Sequence, residues 1–304
     1  MAKKSKRNSP KPGSARQEKL AARRAERERA DAIATRPFEG LACECDLVAL
    51  REFVPSATAP LPLADGSSRP VTLATVLPGA VAALVRTEGD DTTAVVGMQV
   101  QAYSDDLGAD LAASIAWAGT AEPGETRAAA APDADTPAVT TLVDPSAQLD
   151  ITVHQDFDWW IPEGVEATPE VAAAVQQANA AILPSARIEA DGVVGAWWVD
   201  AGERAHLRWV RPEDEDALMA ALARVHARGE LTVGEGSRFA GSFRTHGLLV
   251  PVFDLDREKH PTEWVDGIVA LGARLDEALA VDEPLTAAER RARDGLRGRQ
   301  VTLR

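Results

Sequence analysis

Hydrophobic positions along the chain recur at two spacings, and the switches between them mark out the elements. From Asp46 to Val54, Leu47, Leu50 and Val54 fall on one side of a helix that Pro55 stops, because a proline ring is excluded from a helix interior. Extended segments follow at 57–63, 70–77, 80–86 and 92–101, the last two flanking Glu88-Gly89-Asp90-Asp91, a sequence suited to a hairpin turn. Ser104-Asp105-Asp106 then supplies a cap and first-turn acids for a helix with Leu107, Leu111 and Ile115 four apart. Residues 119–138, rich in Ala, Pro and acids, read as a flexible insertion, and 149–153 as a strand.

Beyond Pro162 the same order returns more clearly. A helix over 169–183 carries Val171, Val175, Ala178 and Ile182 on one face, and Pro184 ends it. Strands are predicted at 187–190, 193–199 and 204–210, then a helix opened by Pro212-Glu213-Asp214, with Leu218, Leu222 and Val225 inward and Gly229 after it. Strands at 231–233 and 248–253 and a helix over 262–280 complete the series. Val54-Pro55-Ser56-Ala57 is matched by Leu183-Pro184-Ser185-Ala186, and Asp156-Phe157-Asp158 by Asp254-Leu255-Asp256. The expectation is an α+β chain of two tandem pseudo-repeated antiparallel-sheet-plus-helix domains, the second in α-β-β-β-α-β-β-α order. The boundaries implied are 38–162 and 163–283, between a basic disordered or helical N-terminal tail over 1–37 and a basic C-terminal helix or tail over 284–304.

Charge sharpens this division. Residues 1–37 hold 12 Lys and Arg against 4 acids, and 286–304 hold 6 Arg against 2, leaving 15 basic and 41 acidic residues between them. A body that negative repels nucleic-acid backbones and anionic membranes, so any such contact falls to the ends. Two cysteines, Cys43 and Cys45, point roughly 200° apart on a helix, which suits neither a structural zinc site nor a disulfide. With no membrane-length apolar run and no secretory signal after the basic start, the expected location is the cytoplasm.

The stretches DLVALREFVPSATAPL (46–61), RPVTLATVLPG (69–79) and FDWW (157–160), with the opening MAKKSKRNSPKPG, resemble an uncharacterised actinobacterial family of unknown function. That resemblance implies no reaction, ligand or functional residue. At fold level, the element order of 169–280 and the pattern GAWWVDAGERAHLRWV are similar to type III secretion chaperone-like domains, which bind partner proteins without doing chemistry.

Three groups of residues are candidates for function. His154, Asp156 and Asp158 alternate, so in a continuing strand all three would share one face and could hold a divalent metal; the plainer reading is that the aspartates are exposed caps. Trp159, Trp160, Trp197, Trp198 and Trp209 could form a partner surface, or pack as core, with the adjacent Trp197 and Trp198 facing opposite sides of a sheet. In the tail, Lys3, Lys4, Lys6, Arg7, Lys11, Arg23 and Arg24 could hold nucleic acid or a ribosome electrostatically, without aromatic residues for base stacking. There is no Walker A motif and no Gly-x-Ser-x-Gly elbow, and no sequence feature points to a cofactor. The preferred expectation is a non-catalytic cytosolic protein-binding protein, chaperone-like or regulatory. A nucleic-acid- or ribosome-associated accessory is the alternative, and a metal-dependent enzyme stands third.

Overall fold

The chain is described by a computed structural model covering residues 36–302, apart from 65–68, 89–90 and 163. The tail positions Lys3, Lys4, Lys6, Arg7, Lys11, Arg23 and Arg24 lie outside the described residues. The first half runs α1 (Glu44–Glu52), β1 (Ala57–Pro60), β2 (Val71–Ala74), β3 (Ala83–Glu88), β4 (Asp91–Gly97), α2 (Leu107–Ala118), β5 (Thr126–Arg127), α3 (Val139–Leu142) and β6 (Thr152–Val153). The second runs α4 (Pro169–Ala181), β7 (Ser185–Arg187), β8 (Ala196–Asp200), β9 (Ala205–Trp209), α5 (Glu215–Ala227), β10 (Arg238–Thr245), β11 (Leu248–Leu255), α6 (Val265–Leu279), α7 (Ala287–Arg297) and β12 (Gln300–Thr302).

Each half builds one sheet of six strands, ordered β5-β3-β4-β2-β1-β6 and β12-β10-β11-β9-β8-β7. The four inner strands occupy matching places: a hairpin, then two consecutive strands in reverse order, β2 and β1 in the first sheet and β9 and β8 in the second. Two sheets with one strand order fit a duplicated module, but the matched peptides take different places in it: Ala57 opens the inner strand β1 and Ala186 lies in the edge strand β7. The copies differ in the hairpin's direction. β4 runs parallel to β2, whereas β11 runs antiparallel to β9. Reversing the hairpin makes β10 run the same way as β9, and a same-direction step needs a crossover. Helix α5 supplies it in the second half, where the first half has only a 3-10 turn at Pro78–Ala80.

Helix α1 is the centre of the packing. Its sequence, ECDLVALRE, has apolar residues on more than one side, and such a helix is stable only when covered from more than one direction. Cys45, Leu47, Val48, Ala49 and Leu50 are all buried, in a core shared with Leu73 and Val96 of the first sheet and with Trp197, Val210, Leu248 and Val250 of the second. Helix α2 adds Leu111 and Ile115 to the same core. The opposite face of the second sheet carries Trp198, Leu207, Trp209 and Phe253, packed on Leu218 and Leu222 of α5 and Ile268 and Leu271 of α6. Covered on both faces, β8 and β11 read as nearly continuous apolar runs rather than as alternating strands.

The helix starts follow their capping residues. The Asp106 carboxylate accepts the Ala109 amide at 3.0 Å, and the Asp214 carboxylate accepts those of Asp216 and Ala217 at 2.9 and 3.0 Å. Three segments depart from expectation. Residues 119–138 do not run as a loose insertion: they carry β5 along the edge of β3, and Arg127 holds the turn after it through the carbonyls of Ala129 and Ala130. The strand expected at 231–233 lies instead at 238–245, and β12 adds beyond it, parallel to β10. The helix at 169–181 forms, yet its apolar face is not buried: of the four predicted inward residues only Val175 is enclosed, and Val171 is exposed.

Candidate functional site

The alternation that would align His154, Asp156 and Asp158 ends with β6 at Val153. The chain then bends into a 3-10 turn at Asp158–Trp160 and sends the three side chains to separate partners. His154 Nε2 lies 2.8 Å from Thr58 Oγ1 and its ring stacks on Trp159 at 5.5 Å; burial pushes its pKa below the ordinary value, with the Asp156 charge opposing. Asp156 caps the turn by accepting the Asp158 amide, and Asp158 accepts from the side chain of Asn179 on α4. Among the described residues no group of three or more His, Cys, Asp or Glu is placed to hold a metal.

The same turn lays two tryptophans on the first sheet. Trp159 Nε1 donates to Ser56 Oγ at 2.9 Å, and Trp160 Nε1 to the Val76 carbonyl at 3.0 Å. Phe157, buried beneath them, approaches Trp160 to 4.6 Å between ring centroids. The sheet face they reach carries Thr58, Thr72, Leu84, Thr93 and Val95, alternating with the residues that face α1. Among the described residues no helix joins the small cluster there, in which Ala74, Leu77 and Val95 meet Trp159. Trp159 and Trp160 are half-buried, as are Thr58, Thr72 and Leu84. Trp197, Trp198 and Trp209 have no part in any surface: Trp197 is packed toward α1 and the other two toward α5 and α6, all buried.

A second feature lies where the halves meet. The C-terminal end of α1 brings Glu52 and Phe53 against β9, β10 and β11, and an open pocket of about 380 Å³ forms between them. Cross-strand register sets its floor, because Arg208, Val252 and Gly241 stand side by side on the face that includes Trp197. Phe243 meets Phe53 edge-to-face at 6.4 Å, and the Arg208 guanidinium lies 5.4 Å from the centroid of the Phe53 ring. Glu52 is held by His246 Nε2 at 2.7 Å. At Gly241 a Cβ would come within 2.6 Å of the Arg299 carbonyl, so the absence of a side chain lets the turn after α7 close over this edge.

A wider hollow of about 700 Å³ opens at the far ends of β9, β10 and β11, lined with charges. Asp254 is its hub: Arg204 and Arg238 reach its Oδ2 at 3.1 and 2.6 Å, and His206 Nδ1 lies 3.3 Å from Oδ1. These contacts tie the ends of three strands together.

None of the seam residues was a candidate from sequence. In AHLRW, alternation puts Leu207 and Trp209 on one face and His206 and Arg208 on the other, which reads as solvent. Only the placement of α1 shows that part of that second face is covered.

The structure thus defines an α+β protein of two six-stranded sheets gathered around one buried helix, with an outer sheet face partly covered by the Trp159–Trp160 turn and a seam pocket lined by Arg208 and Arg299. The chain belongs to a family of unknown function, DUF5926, matched over residues 37–304. No curated protein and no solved structure matches it. Among the described residues no helix is long and apolar enough to cross a membrane.

Proposed function

We propose that this is a non-catalytic cytoplasmic protein-binding protein, chaperone-like or regulatory, whose first sheet presents its outer face to a protein partner. The observation that carries the reading is that among the described residues no helix joins the cluster on this face, while a turn bearing Trp159 and Trp160 lies across it, half-buried. Aromatic groups with their N–H bonds already satisfied and their rings accessible suit a contact surface. The turn is joined through Asn179 to α4, whose Val171 adds exposed apolar area. A nucleic-acid- or ribosome-associated role is the second reading, favoured by the concentration of positive charge in residues 1–37 of an otherwise acidic chain.

The two are separated by crosslinking and affinity capture with three forms of the full chain: the natural sequence, Trp159→Ala/Trp160→Ala, and a tail with Lys3, Lys4, Lys6, Arg7, Lys11, Arg23 and Arg24 changed to Gln. A nuclease-resistant protein partner that the tryptophan variant loses and the tail variant keeps supports the first reading. A nuclease-sensitive partner lost only by the tail variant replaces it with the second.

A further inference from the structure

Between residues 38 and 285 this chain carries 41 acids and 15 bases, and arginines that the fold draws inward are met by an oxygen. Arg187 has Asp46, Arg211 has Glu213, and Arg224 has the carbonyls of Ala278 and Glu283. Two half-buried arginines break that pattern, Arg51 over the Tyr103 ring and Arg208, and of these Arg208 lines the seam pocket. Phe53 lies against the Arg208 guanidinium, and no hydrogen bond or ion pair joins that group to any described residue. Burial alone pushes its pKa down, with no neighbouring acid pulling the other way. The carboxylate lining the same pocket, Glu52, is already engaged by His246. Arg299 adds a second cation at the rim, likewise without an ion-pair partner among the described residues. A cation that is partly desolvated and has no counter-ion is less stable than a paired one, and an incoming anion removes that deficit.

The pocket's other walls limit which anion fits. Phe53, Phe243 and Val252 offer apolar and aromatic surface, and about 380 Å³ is the size of a small-molecule site. We propose that the seam pocket binds a carboxylate-bearing ligand with an apolar body, the carboxylate paired with Arg208 and Arg299 and the body laid against Phe53, Phe243 and Val252. Inorganic phosphate has the charge without the body and fits less well. The carboxylate can belong to a free organic acid or to an Asp or Glu side chain beside an aromatic residue. This site is separate from the outer sheet face, and neither proposal depends on the other.

The test uses the full chain and defined probes. Phenylpropionate, its neutral amide, inorganic phosphate and the dipeptide N-acetyl-Asp-Phe-amide are titrated and followed by calorimetry and NMR. The expected result is saturable phenylpropionate binding below about 10 mM, at least about tenfold tighter than the amide, because a charge-assisted bidentate contact is lost with the charge. Phosphate should bind more weakly than phenylpropionate. The dipeptide binding more tightly than phenylpropionate assigns the carboxylate to a protein source, and the reverse assigns it to a free acid. Arg208→Gln should abolish the preference for carboxylate over amide while circular dichroism and the unfolding midpoint show an intact fold. Arg299→Gln, at an exposed position, should reduce that preference and serves as the readout if Arg208→Gln does not fold. A carboxylate that binds no more tightly than its amide, phosphate that equals phenylpropionate, or a preference that survives both substitutions overturns the proposal.

Discussion

Arg187 Nη2 on β7 lies 2.6 Å from Asp46 Oδ2 on α1, an ion pair that joins the second half of the chain to the buried helix of the first. Asp46 has no exposed surface, and its other oxygen has no hydrogen-bond partner. Burial pushes the Asp46 pKa up, and the charge and hydrogen bond of Arg187 only partly restore it. The pair acts as a lock between halves whose cost depends on both partners being present. Arg187→Ala should therefore destabilise the protein by about 3–5 kcal/mol at neutral pH, because it strands a buried carboxylate. Asp46→Asn/Arg187→Ala should recover part of that loss. Urea unfolding of the two single variants and the double variant measures the coupling; additive losses would show that the contact joins nothing.

The second contact between the halves has the opposite dependence on pH. Burial pushes Glu52 up, but the hydrogen bond and charge of His246, with smaller help from Arg51 and Thr245, outweigh it and leave the carboxyl below its ordinary 4.5. A carboxylate with a depressed folded pKa adds stability above its unfolded value, and that stability is lost as pH falls from about 4.5 through the folded value. Glu52→Gln should flatten the acid limb of the stability curve, as read from unfolding midpoints taken between about pH 3 and pH 6.

Gly195 marks where α1 touches the second sheet. Its φ is +67°, and a Cβ would sit 2.7 Å from Cys45 Cβ and 2.8 Å from the Val210 carbonyl oxygen. Gly195→Ala should cost about 2 kcal/mol or more, from strain and overpacking together. Gly202, with φ +91° and nothing within 4 Å, provides the control. Gly202→Ala carries backbone strain alone and should cost only about 1 kcal/mol. Melting temperatures compare them, and equal losses would mean that α1 does not press on Gly195.

The two thiols report on the integrity of the same core. Burial, reinforced by nearby acids, pushes Cys43 up to about 11 and Cys45 up to about 12. Both side chains are enclosed and unpaired. Because the thiolate is the reactive form, neither should be alkylated by iodoacetamide at about pH 8 in the native protein, and both should react once it is unfolded. Labelling of folded protein on the unfolding timescale, read by mass spectrometry, gives the rate at which the halves separate. Immediate labelling would show that α1 is not sealed.

Much of this architecture is written locally. Pro55 and Pro184 end helices where expected, Asp106 and Asp214 cap the next ones, and the hairpin β3–β4 follows its turn. Such signals work because caps, prolines and turn glycines act within a few residues of themselves. β10 was missed because RFAGSFRT mixes glycine and serine with its aromatics, and its bulge between Phe239 and Gly241 interrupts the alternation. It becomes a strand because β11 and β12 flank it. Likewise, WW in β8 showed that two rings must face opposite ways, but not that both faces would be covered.

From its order of residues alone, the chain determined an α+β class, a repeated order of elements, an acidic body between basic ends, and most helix boundaries. Those properties depend on periodicity, caps and composition, which are local or additive. Tertiary structure decided that α1 lies between two sheets, that the hairpin direction differs between copies, that Trp197, Trp198 and Trp209 are core, and that Arg208 meets Phe53 instead of solvent. The place of α1 and the Arg208–Phe53 contact rest on residues more than a hundred positions apart, as do the pairs Asp46 with Arg187 and Glu52 with His246. No spacing rule within a segment records which distant surface will cover it.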